Sequence, residues 1–175
     1  MYWQSSQQLQ DVLYKLVGWE SETHTQGEKE FPKKLQQLLM NLAYFQDNPQ
    51  QLQVVETEDD RALVSALYQA EHATKTVVLI SHFDTVSTEE YGALQGVATQ
   101  PDLLAEAFLQ HLELLNDEAR ADLKKGDYVF GRGAMDMKMG LVLHMHLLEK
   151  AIIEQWPTNI LLITVPDEEV NSLGM

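Results

Sequence analysis

The sequence predicts an α/β domain built on a largely parallel sheet flanked by helices. Three observations predict it. Residues 77–80 and 159–165 are short, nearly continuous aliphatic runs, the pattern of strands covered on both faces. Segments with helical apolar spacing alternate with those runs, as they do where crossover helices join parallel strands. Residues able to do chemistry follow the strand ends directly: His82 and Asp84 after the first run, Glu168 and Glu169 after the second. Sites in such sheets lie beyond the carboxyl ends of the strands.

Taken in order, residues 8–17 put Leu9, Val12, Leu13, Leu16 and Val17 on one helical face. Residues 18–27 are polar and break the pattern. A second helix begins near Glu28, with Phe31, Leu35, Leu38, Leu39 and Leu42 at helical spacing and Pro32 in its first turn. It ends before Asp47-Asn48-Pro49, a turn signal. Residues 52–56 and 62–68 read as two strands joined by an exposed acidic link, Glu56-Thr57-Glu58-Asp59-Asp60. The 77–80 strand follows. Gly92, Gly96 and Pro101 then mark a loop, and residues 102–115 place Leu104, Ala107, Phe108, His111 and Leu115 on one helix face that Asp102 can cap. Tyr128-Val129-Phe130 reads as a short strand leading into Gly131-Arg132-Gly133. Residues 138–153 form a helix that is apolar nearly all round and therefore buried.

Composition bounds the function. The chain has 175 residues, of which 45% are hydrophobic, enough for one domain with a real core. The net charge of −15 argues against a nucleic-acid partner, whose phosphates it would repel. No apolar run reaches the roughly 20 residues that span a bilayer, so no membrane partner is expected. Met1-Tyr2-Trp3-Gln4-Ser5-Ser6 lacks a basic region followed by an apolar core, which makes the cytoplasm the default compartment. With no cysteine, disulfides and thiolate metal sites are excluded.

The chemistry lies in three stretches. His82 offers a ring nitrogen, and Asp136 and Glu169 offer carboxylate oxygens; this sulfur-free set suits zinc, and manganese or cobalt less strictly. The two oxygens of Asp136 could bridge two cations. Of the adjacent Glu168 and Glu169, one can bind metal while the other acts as general base. Asp84 would accept a hydrogen bond from the free ring nitrogen of His82 and fix its tautomer. Singly, each signal is ordinary: a paired glutamate is usually a solvated turn, and a His-Xaa-Asp after a strand is usually a polar strand end. Their joint placement at strand ends is what points to a site. His144 and His146, two apart on a buried helix, do not share a face and read as structural. Arg132 reads as a salt-bridge former. Lys138 opens a helix, where a cation is unfavourable, and so asks for a carboxylate partner such as Asp136 or Glu168.

Three motifs carry a family resemblance: His82-Phe83-Asp84-Thr85-Val86, residues 131–140, and Asp167-Glu168-Glu169 followed by Gly174. In this order they resemble the co-catalytic zinc peptidases and amidohydrolases, among them acetylornithine deacetylase, succinyl-diaminopimelate desuccinylase and several carboxypeptidases. The wording around Asp136 and the long segment after Val86 most resemble an arginine-utilisation branch. The resemblance implies a three-layer catalytic domain, two zinc ions in the intact enzyme, and cleavage of an amide or peptide bond in an N-acyl amino acid or small peptide. It implies His82 and Glu169 as zinc ligands, Asp136 as the bridging ligand with a cis peptide after it, Glu168 as general base and Asp84 as the residue steadying the histidine. Ser87 and Met139 replace a usual proline and glycine, and Met139 is expected to crowd its turn. Because the family has further ligands, a lid or dimerisation domain and often a homodimer, the resemblance makes residues 1–175 the N-terminal part of a catalytic domain, poorly active alone and exposing apolar surface. Two other readings compete. A non-catalytic fragment would bind metal or a partner without turnover. A mononucleotide-binding domain would need a glycine-rich loop where His82-Phe83-Asp84-Thr85 stands.

Overall fold

The computed structural model describes residues 1–172; Gly174 of the third motif lies outside the described residues. Helix α1, Ser6–Gly18, starts at Ser5, whose side chain accepts from Gln8 N–H while the Gln8 side chain answers to the Ser5 backbone, a reciprocal cap. It buries Val12, Leu13, Leu16 and Val17. Helix α2, Gln26–Leu39, is capped by Thr25, so it starts earlier than the spacing suggested, and Pro32 falls in its second turn. The chain bends at residues 40–42 before a short helix α3, Ala43–Asp47.

Four strands follow the predicted positions: β1 Leu52–Glu56, β2 Ala62–Tyr68, β3 Thr76–His82 and β4 Asn159–Val165. Their order is β1-β2-β4-β3. The α/β class stands, but the sheet is mixed and not largely parallel. Strand β1 pairs with β2, and β2 with β4, in antiparallel fashion; only β3 and β4 are parallel. The cause is connection length. The turn at residues 57–61 is too short for a crossover, so β1 and β2 form a hairpin. The long path from β3 to β4 carries helices and permits the parallel pair.

The helices cover one face of this sheet. Val64, Ala66, Ile160 and Leu162 share that face and pack into one core with Phe31 and Leu35 of α2 and with Leu141 and Met145 of α6, Met139–Glu154. The opposite face carries Val55, Leu63, Leu67, Leu161 and Ile163, with Val78 and Ile80 on β3. Val78 is 47% and Ile80 57% exposed. Neither residues 77–80 nor β4, which alternates buried and half-buried positions, is therefore covered on both sides, and the third layer is absent among the described residues. An aliphatic run shows that both faces of a strand are apolar; it does not show that both are covered.

A satellite core of Leu104, Phe108 and Leu123 joins α4, Pro101–Gln110, to α5, Asp117–Lys125. Helix α5 was not predicted, because Leu123 is the single residue it buries. The strand expected at Tyr128-Val129-Phe130 does not form; Phe130 instead packs edge-on against Phe108, ring centroids 5.7 Å apart. Helix α6 lies under the sheet and holds the N-terminal segment: buried Glu149 accepts from Tyr2 and Trp3 N–H, and His146 Nδ1 lies 2.7 Å from the Trp3 carbonyl. No described helix is long and apolar enough to cross a membrane.

Candidate metal centre

Strand β3 delivers His82 at its last residue, and the chain continues extended through Phe83 to Asp84. Both polar side chains are buried, His82 4% and Asp84 0% exposed. Phe83 between them is fixed by stacking on Phe31, centroids 4.7 Å apart and planes 2° from parallel. Asp136 arrives from the turn between residue 133 and α6, which contains a cis peptide between Asp136 and Met137, as the resemblance implies. Gly133 there has φ +72°, and a Cβ would sit 2.4 Å from Thr85 Cγ2, so only glycine lets the turn approach the strand end. Met139 packs against the main core. Glu168 and Glu169 follow β4.

These arrivals converge. One donor atom each from His82, Asp136 and Glu169 lie within 4.8 Å of one another. His82 Nε2 is 3.0 Å from Asp136 Oδ1 and 3.6 Å from Glu168 Oε2. On the other side of the ring, Nδ1 is 3.1 Å from the Asp84 carbonyl and 3.4 Å from Asp84 Oδ1. The ring therefore faces carboxylates with both nitrogens. Burial would push its pKa down, but the bonds to Asp84 and Asp136 and the charge of Glu168 outweigh that and raise it to about 9. Glu169 is raised, by burial first and by Asp136, Asp84 and Glu168 beside it, against the pull of His82. One nitrogen and two carboxylates with no thiol form a set that fits a divalent ion of the zinc class.

Asp84 does more than face a histidine. Its Oδ1 accepts from Glu168 N–H and its Oδ2 from Glu169 N–H, both at 3.1 Å, while the Thr23 hydroxyl donates to Oδ2 at 2.9 Å. Burial opposes its ionisation, but His82 and these donors prevail and hold its pKa below the usual range. Lys138 is buried and finds no carboxylate partner at contact distance among the described residues. Its ammonium donates to the Trp19 carbonyl at 2.8 Å and lies 5.3 Å from the Phe31 ring centroid. A cation over an aromatic face answers part of the need, and burial lowers its pKa to about 7 against the attraction of Glu20 and Asp84. Arg132 pairs with Glu90 and lies over Tyr91, a structural role. A polar cleft of about 500 Å³ beside the strand end is lined by Ser21, Thr25 and Thr85 among others, and by none of the three donors.

Sequence reading passed over a second buried cluster behind the donors. Arg61, Glu28 and Asp167 have side chains 4%, 0% and 0% exposed. Arg61 Nη1 is 3.3 Å from Glu28 Oε1 and 3.0 Å from Asp167 Oδ1, and its Nε donates to Asp59. His24 Nε2 lies 3.4 Å from Asp167 Oδ1. Arg61 closes an acidic link that reads as solvated, and no periodicity ties it to residues so distant in sequence.

The chain is 42% identical over 175 residues to YqjN of Bacillus subtilis (strain 168), matching all of this chain and 32% of that protein. It is 28% identical to Protein RocB of the same organism, matching 97% of this chain and 31% of RocB. The chain thus spans about a third of the length of the curated relatives it matches. The fold is shared with an M20 family metallo-carboxypeptidase, Sso-CP2 from Sulfolobus solfataricus, at TM-score 0.65 and 16% identity, over 93% of this chain and 31% of that one. The model of peptidase family M20/M25/M40 matches residues 78–175, a span that opens four residues before His82, closes after Glu169 and takes in more than half of the sequence. On that match the chain belongs to peptidase family M20/M25/M40.

Proposed function

We propose that the chain supplies part of a divalent-metal centre that hydrolyses the amide bond of an N-acyl amino acid or small peptide. The observation that carries the reading is the convergence of His82, Asp136 and Glu169 donor atoms within 4.8 Å, with Glu168 beside His82. In this reading those three residues would hold zinc, with manganese or cobalt as substitutes, and Asp136 would be the ligand shared if a second ion bound. A bound ion of this class polarises a carbonyl and makes water acidic. The chain's own work is positional and protonic. Asp84 keeps the His82 ring oriented, with Nε2 toward the other donors. Glu168 takes a proton from water and returns it to the leaving amine. The substrate is a small molecule, and the setting is cytoplasmic amino-acid catabolism; the arginine-utilisation wording around Asp136 supports that setting.

Zinc titration followed by calorimetry tests the ligand assignment, and turnover of N-acyl amino acids by the full enzyme that contains this chain tests the base. His82→Gln and Glu169→Gln should each abolish or greatly weaken zinc binding. Glu168→Gln should bind zinc as the parent does and lose hydrolysis by about 10²–10⁴-fold. A Glu168→Gln enzyme with full turnover would overturn the mechanism. A second reading, metal binding without turnover, is favoured by the openness of the centre, where Asp136 is 77% exposed. It predicts zinc binding with no hydrolysis of any such substrate.

A further inference from the structure

The turn that carries Glu168 and Glu169 is tied down by two buried carboxylates. Three consecutive backbone N–H groups each meet one carboxylate oxygen: Asp167 N–H donates to Glu28 Oε1 at 3.0 Å, Glu168 N–H to Asp84 Oδ1 and Glu169 N–H to Asp84 Oδ2, each at 3.1 Å. Each anchor has a cationic or ionisable partner behind it. For Asp84 it is His82. For Glu28 it is Arg61, which also reaches the Asp167 side chain at 3.0 Å. Glu28 is further fixed by His24 N–H, which donates to its Oε2 at 2.7 Å.

The turn needs such anchoring. Asp167 has φ +61°, a left-handed conformation that a non-glycine residue keeps only where its surroundings impose it. Burial pushes the Glu28 pKa up, while His24 N–H and Arg61 oppose that. Arg61 Nη1 bridges two carboxylates whose side chains are fully out of solvent; without it they lose the guanidinium they share, and the cost of keeping them close favours a shift of the turn. Such a shift loosens Asp167, and with it the placement of the two glutamates that follow.

We propose that Arg61, acting through Glu28 and Asp167, is a positioning residue for the Glu168–Glu169 pair, although it touches neither of their side chains. Its role for the metal centre rests on the reading of Glu168 as base and Glu169 as ligand. Its effect on the turn does not.

The test therefore has a metal-free arm and a metal arm. In the metal-free arm, amide hydrogen exchange is followed residue by residue in the parent, Arg61→Met, Arg61→Lys and Glu28→Gln. The amides of residues 167, 168 and 169 should exchange about tenfold faster or more in Arg61→Met, while the amide of Leu162 in mid-strand stays protected. Arg61→Lys should fall between parent and Arg61→Met, since it keeps the charge and loses the fork that joins Glu28 to Asp167. Glu28→Gln, which keeps the shape, serves if Arg61→Met does not fold, and should shift the same three amides. In the metal arm, zinc affinity should fall about tenfold in Arg61→Met. Leu104→Ala, a variant of the satellite core on α4, should keep parental affinity. Unchanged exchange at residues 167–169 in the folded variants overturns the proposal. Faster exchange at those amides in the variants, with a parent that itself binds no zinc, overturns the metal reading and leaves the anchoring intact.

Discussion

At the scale of single residues, His82 is the group whose environment has the most to say in solution. Its raised pKa of about 9 compares with about 6.5 for an unfolded histidine. The imidazolium is thus stabilised in the folded, metal-free chain. Its contribution is complete below about pH 6.5 and is lost as pH rises through about 9. On the order of 2 kcal/mol is expected, since part of the effect comes from Asp136, which is exposed and screened. Urea unfolding of the chelator-treated protein across that range checks it. The parent should lose stability relative to His82→Gln as the solution becomes alkaline. A difference between the two that does not change with pH would contradict the carboxylate cage around the ring. His82, Asp136 and Glu169 were legible from sequence because each follows or precedes a recognisable element boundary. Arg61 and Glu28 were not, since a buried ion pair between a hairpin and a helix leaves no local pattern. The partner of Lys138 was misjudged for a related reason: a backbone carbonyl and a ring face are invisible to charge counting.

At the scale of elements, alternation and spacing read well where one face of an element is buried. Strand β2 buries Ala62, Val64, Ala66 and Tyr68 in strict alternation, and its bounds match the sequence reading. Pairing direction did not follow from the same signal, since it depends on connection length and sheet order. Helix α5 escaped for want of apolar residues, and Tyr128-Val129-Phe130 misled because strand-like composition can serve loop packing. Strand β4 is the element on which the sheet depends. It pairs with β2 on one side and β3 on the other, and Leu162 on its inner face is fully buried. Leu162→Ala should cost about 2–5 kcal/mol, read as a lower urea midpoint, with loss of β2 and β3 protection together. A cost confined to β4 amides would show that the strands are less interdependent than the pairing implies.

At the scale of the whole molecule, the helices and the centre leave one side of the sheet open. Val55, Val78 and Ile80 are each more than 40% exposed on that side, and β3 ends the sheet there. Apolar sheet surface next to an open strand edge invites self-association. The 175-residue chain should show concentration-dependent oligomers in light scattering, and Ile80→Lys with Val78→Lys should reduce them while leaving zinc affinity unchanged. If the double variant associates as readily as the parent, the contact lies elsewhere.

The strand order has a consequence in time. β2 and β3 are successive in the chain, yet β4 separates them in the sheet. As the polypeptide leaves the ribosome, a hairpin and a lone strand emerge with a vacant slot between them. The slot can close only after β4 emerges, beyond the 76 residues (83–158) that separate it from β3, because non-local pairing waits for its partner. His82 is thus synthesised early, with Asp84, and meets Asp136 and Glu168 late. Strand β4 both joins the four described strands into one sheet and brings Glu169 to the donor cluster, so a nascent chain stalled before it has neither.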